Sequence, residues 1–143
     1  MIPYCDQDAF SAMVEALKAT GAFAEVSFGV TIDRCNISAG CLPLALIVPT
    51  EWTERDTPDS GSLMRQVGFT LTLVVRQADE AARFEQLDRL ASLAHGVMNR
   101  SDLGGGCVRA LTKIRRARHD QGTRHPEQRI VLNGDFSYLI PEG

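Results

Sequence analysis

The sequence predicts an α+β fold: one mostly antiparallel or mixed sheet of about five strands, with two helices packed on one face, in the order α-β-β-β-α-β-β. Three observations carry this. Two segments place apolar residues at the i, i+3, i+4 spacing of half-buried helices. Five others read as strands, by alternation or by short apolar runs. No internal repeat or interdomain linker interrupts the 143 residues, so 1–143 reads as a single domain.

The first helix is expected over 6–20, where Phe10, Met13, Val14 and Leu17 form the stripe with Ala9 and Ala16 beside them. Asp6 or Asp8 can accept hydrogen bonds from the free amides at its start. Gly21 can end it in the left-handed conformation. A short strand follows over 24–30, alternating Val26 and Phe28 with Glu25 and Ser27. Residues 33–40 read as a turn. The apolar run at 42–48 predicts a strand covered on both faces, with Pro43 suited to its start because it donates nothing to a ladder.

Segment 49–62 differs in kind. It holds Glu51, Glu54, Asp56, Pro58, Asp59 and Gly61 without periodicity, and Trp52, the only tryptophan, stands near its start. It reads as a long polar loop, and such loops in compact domains tend to be functional or disordered. The clearest strand is 66–76, with Val67, Phe69, Leu71, Leu73 and Val75 on one face and Gly68, Thr70, Thr72 and Val74 on the other.

Asp79 is placed to cap a second helix running to about residue 99. Its predicted stripe is Phe84, Leu87, Leu90, Ala91, Ala94, Val97 and Met98, with Arg83, Glu85, Gln86, Asp88 and Arg89 outside and His95 half-buried beside it. Gly104, Gly105 and Gly106 then break the chain. The strand expected over 108–118 puts Val108, Ala110, Thr112 and Ile114 on one face and Arg109, Lys113 and Arg115 on the other. Because Arg116 falls on the core face, the strand is expected to leave the core there. Residues 119–126 read as a polar turn. The last strand, 127–140, lines Ile130, Leu132, Phe136, Tyr138 and Ile140 on one face, and Gly134 among them signals a bulge or a close contact.

The composition, 44% hydrophobic and 23% charged, is that of a globular chain and excludes disorder throughout. No apolar run approaches the roughly 20 residues of a membrane helix, and the N-terminus has neither the basic nor the apolar part of a signal peptide. The chain is therefore expected to stay in the compartment where it is made, with no membrane partner. Cys5, Cys35, Cys41 and Cys107 form no Cys-x-x-Cys pair and are expected to be reduced and mostly buried. A local bridge between Cys35 and Cys41, which flank a turn at Gly40, remains open.

Charge is unevenly spread. Residues 1–108 carry 8 basic and 14 acidic side chains, whereas 109–129 carry 7 basic and 2 acidic. Such a split suggests a side that meets a partner or a polyanion. No Gly-x-Ser-x-Gly elbow or cysteine-protease signature is present, so a hydrolytic nucleophile is not expected. His119, Asp120 and His125 are potential zinc ligands by type, but their spacing fits a solvated turn better than a metal site. The three glycines precede a strand rather than a helix and lack the following Lys-Ser or Lys-Thr, which argues against a phosphate cradle. The reading is thus of a chain with no recognisable catalytic apparatus.

The basic segment 109–129 has two readings. It can neutralise phosphates as a small nucleic-acid-binding domain, although no aromatic residues interleave to stack on bases. It can also meet an acidic surface, which the chain itself supplies over 51–59. A basic hairpin of one copy against the acidic loop of the next is a head-to-tail contact of the kind that closes rings.

The helix, the strand Ala24-Glu25-Val26-Ser27-Phe28, the strand Leu42-Pro43-Leu44-Ala45-Leu46-Ile47-Val48-Pro49, the acidic segment, the strand 67–76, the helix with Leu87, Leu90 and Val97, and two late strands form a recognisable series. It resembles the tail-terminator and tail-completion (minor tail) proteins of long-tailed bacteriophages and prophages, over nearly the whole chain. The resemblance implies a non-enzymatic structural protein without cofactor, forming a ring, usually a hexamer, at the tail end or head–tail junction. It implies tail-tube and connector proteins as partners and DNA passing through the lumen. It also implies assembly in the host cytoplasm and a place in the virion tail or neck. On this reading Glu51, Trp52, Glu54, Asp56 and Asp59, with Arg115, Arg116, Arg118 and Arg124, are candidates for subunit or partner contacts. Some of Arg115, Arg116 and Arg118 would face the lumen. The triple glycine and the four cysteines are not features the family requires.

Overall fold

A computed structural model describes residues 6–29, 42–56, 62–99, 111–119 and 127–141. Helix α1 spans Asp6–Ala19 and helix α2 Glu80–Met98; the strands are β1 Glu25–Phe28, β2 Leu44–Asp56, β3 Ser62–Arg76, β4 Leu111–His119 and β5 Glu127–Pro141. They form one sheet in the order β1-β2-β3-β5-β4. β1 runs parallel to β2, and the other pairs are antiparallel. The expected α+β class, five strands and element order are all present.

Both helices share one core with the same face of the sheet. Phe10, Met13 and Leu17 of α1 and Leu87, Leu90, Ala94 and Met98 of α2 meet Val67, Phe69, Leu71, Leu73 and Val75 of β3. Ile130, Leu132, Phe136 and Tyr138 of β5 complete it. Phe10 packs edge-on against Phe136, with ring centroids 5.2 Å apart, a favoured aromatic geometry. α1 ends as its sequence predicts: Gly21 has φ +70° and its amide donates to the Lys18 carbonyl. Asp79 caps α2, its side chain accepting from the Ala81 amide at 3.1 Å.

Five expectations need correction. The loop expected over 49–62 is mostly strand, since β2 continues to Asp56 and β3 already opens at Ser62. A register shift between Pro49 and Trp52 breaks the alternation that would have revealed it. Backbone pairing to β3 holds this part of β2 whatever the polarity of its side chains. Second, β4 leaves the core after Ile114 as expected, since Arg115 to His119 are all exposed, but Arg116 does not lie on the core face. A register shift between Ile114 and Arg116 makes Arg115 the extra residue, so Ala117, opposite Leu132, takes the helix side instead.

Third, that pairing continues to His119, which lies in β4 opposite Ile130, with its ring 6.1 Å from that of Phe84. Fourth, the α2 stripe starts one position earlier than predicted: Arg83 is buried and Phe84 is exposed. Arg83 donates its Nη1 to the Gln77 carbonyl at 3.0 Å, while its buried Nε makes no hydrogen bond among the described residues. Fifth, His95 is exposed rather than half-buried, and its ring is bonded to the Asn99 amide.

Gly134 makes the close contact its sequence position signals. A Cβ there would lie 2.7 Å from the Lys113 carbonyl oxygen and 2.8 Å from Phe69 Cζ. Cys35, Cys41, the triple glycine, Asp120 and His125 lie outside the described residues.

Candidate functional site

β1 pairs with β2 only as far as Phe28 opposite Ile47. Gly29, with φ +83°, then turns the chain, and its amide donates to the Ile47 carbonyl. Beyond this point β2 is backed on one side by β3 and has no strand on the other among the described residues. Every residue over 49–56 is exposed. The outcome is an arm of β2 and β3, continued by β5, that carries an open edge.

A polar cluster fixes this arm to the body. Arg65, only 5% exposed, lies on the helix side of β3 opposite Glu54. Its Nε and Nη2 donate to the two carboxylate oxygens of Asp6 in the first turn of α1, and its Nη1 donates to Glu54 Oε1 at 3.0 Å. Tyr138 donates its hydroxyl to Asp6 Oδ1 at 2.6 Å. The guanidinium lies 4.2 Å from the centre of the Trp52 ring, a cation–π contact. Burial alone would push the Asp6 carboxyl up. The hydrogen bonds from Arg65 and Tyr138, and the charge of Arg65, outweigh it and hold the group below its ordinary value. The Asp6 hydrogen bonds in turn raise the pKa of Arg65. Asp6 thus serves this ion pair in addition to favouring the helix start.

The sequence-predicted contact residues are placed as follows. Trp52 is 57% exposed on the arm. Glu51 and Asp56 are exposed beside it. Glu54 differs: its side chain is 24% exposed and turned to Arg65, while the residue as a whole is exposed because its backbone faces solvent. On the opposite side of the sheet, β4 is an edge strand. Lys113, Arg116 and Arg118 are exposed on it and pair in register with Asp135, Asn133 and Val131, on the face away from the helices. Arg115 donates its Nε to Asp135 Oδ2 at 2.6 Å. Asp59 and Arg124 lie outside the described residues. The described acidic and basic candidates are therefore not brought together within one chain; they occupy opposite margins of the sheet.

Arg65, Asp6 and Tyr138 were not among the predicted site residues. A signal for Arg65 was present: extending the alternation of Val67, Phe69 and Leu71 backwards puts Arg65 on the core face, where a cation requires an acidic partner. Among the described residues no three His, Cys, Asp or Glu side chains stand close enough to hold a metal ion. No described helix is long and apolar enough to cross a membrane.

This fold is shared by known structures. A chain from the virion of a native gene transfer agent particle is similar at TM-score 0.53 and 14% identity, over 94% of this chain and 92% of that one. A second solved chain, whose description names no function, is similar at TM-score 0.50 and 14% identity, over 93% and 95%. At such identity the likeness establishes the fold. No family model matches the sequence, and no curated protein does.

Proposed function

We propose that this chain is a non-enzymatic structural subunit of a phage-like particle. The observation that carries the reading is the likeness, over 94% of this chain, to a chain of a gene transfer agent virion, and it agrees with the element order that resembles tail-terminator and tail-completion proteins. The finer reading is a subunit that forms a ring, a hexamer in the pattern of that family, at the tail end or head–tail junction. It assembles in the host cytoplasm, meets tail-tube and connector proteins, and leaves a lumen for DNA. The two margins of the sheet support this, because an acidic arm on one side and a cationic strand on the other favour head-to-tail over two-fold association. Electron microscopy of the concentrated protein tests it: closed annuli of uniform diameter are expected, and dispersed single subunits at every concentration would refute it.

A second reading, a small nucleic-acid-binding domain using 109–129, is favoured by one observation: Lys113, Arg116 and Arg118 are all exposed on one edge strand. It predicts DNA binding by a monomer or dimer that weakens steeply with salt.

A further inference from the structure

β1 ends at Phe28, and the eight exposed residues over 49–56 of β2 continue past it with an open edge among the described residues. Among the described residues, a notch one strand wide is left in line with β1. Its helix side opens on a groove of about 260 Å³ lined by Phe10, Phe28, Pro49 and Trp52, with Asp6 and Glu51 at its rim. Phe28 and Trp52 are two of the few large apolar side chains left exposed, at 37% and 57%. An open strand edge beside exposed aromatic rings is a template for an added strand, whose alternate side chains would fall over the groove.

From this we infer that the notch receives strand β4 of a second copy of this chain, joining the sheets of neighbouring subunits. The inference rests on the ring reading and adds the surface that builds it. Charge complementarity selects the occupant. The arm exposes Glu51, Arg55 and Asp56, which leaves it net acidic. β4 exposes Lys113, Arg116 and Arg118 and has no further strand beside it among the described residues, its Ile114 amide donating to Asn99 Oδ1 at 2.7 Å. Length agrees as well, since β4 has nine residues for an edge of eight. Two β4 margins repel each other, and two arms do so weakly because Arg55 offsets one of their acids, so the head-to-tail pairing is the one that charge favours. Glu54 takes no part in this selection, because its carboxylate is bound to Arg65.

The test uses two charge-reversed variants of the full chain, both altered only at exposed positions: E51R/D56R, and R116E/R118E. Each alone is expected to raise the concentration needed for assembly by at least about tenfold, as loss of complementary charge at an interface does. Mixed in equal amounts, they should co-assemble again, because each then offers the margin the other lacks. The single tryptophan, Trp52, should shift its emission to the blue on assembly as its ring leaves water. If the wild-type chain assembles and both variants assemble equally well alone, the notch is not the interface, though the ring reading survives. If the wild-type chain stays monomeric at every concentration, a second copy is not the occupant and the ring reading falls with it.

Discussion

Arg65 Nη2 donates to Asp6 Oδ2 at 2.5 Å, joining the middle of the sheet to the first turn of α1 across 59 positions of sequence. The same guanidinium reaches Glu54 on β2 and lies against Trp52, so one side chain sets the position of the arm relative to the body.

Replacing it should therefore be costly. Arg65→Met leaves Asp6 and Glu54 without their cation. Removing one partner of a fully buried pair costs about 3–5 kcal/mol, and because both carboxylates keep some contact with water we expect roughly 2–3 kcal/mol here. Urea unfolding at neutral pH measures it, and the melting temperature should fall by roughly 5–10 °C. An unchanged midpoint would mean that the arm is held by other contacts.

The Asp6 carboxyl gives the fold a defined acid response. Its folded pKa lies below the ordinary 3.8, so it adds stability that is fully present above that value and is lost as pH falls through the folded pKa. Asp6→Asn should be less stable than the wild type at neutral pH, and the gap should narrow as pH is taken below about 4. Paired unfolding curves at pH 7 and about pH 3 test this; a gap that stays constant would contradict it.

Gly134 is a packing requirement. In Gly134→Ala the new methyl meets the Lys113 carbonyl and the ring of Phe69, and a backbone atom cannot rotate aside. A loss of about 1–3 kcal/mol is expected, with β4 displaced from β5. Chemical denaturation measures the loss, and faster amide exchange over residues 113–118 would show where it arises.

Trp52→Ala separates folding from assembly. The ring is largely exposed, and its contact with Arg65 is worth about 0.5–1 kcal/mol, so the fold should lose no more than that. Assembly should weaken by more than tenfold, because aromatic residues at the centre of an interface carry much of its energy. Equal small effects on both would remove Trp52 from the interface.

The body of this fold was legible in the sequence because its elements alternate cleanly. The α1 stripe from Phe10 to Leu17 and the 67–75 alternation follow from side-chain period, and the Asp79 cap from residue type. The arm was not legible. The shift between Pro49 and Trp52 breaks the period of two, and the exposed residues beyond it carry loop-like composition although their backbone is paired to β3. The same applies at Arg115, where one extra residue moves Arg116 from the core side to the outer side. Charge segregation was readable, and the candidates Glu51, Asp56, Arg116 and Arg118 are exposed on opposite margins. The Arg65 cluster was missed because its partners come from three separated elements, and long-range pairing leaves no local pattern.

The most direct test of the account is the mass of the purified wild-type chain in solution, by light scattering over a wide range of concentrations. A head-to-tail ring subunit should show a concentration-dependent rise toward one closed species of hexamer size, six times 15.7 kDa, with no larger polymer. A strict monomer throughout, or a two-fold dimer that grows no further, would contradict it.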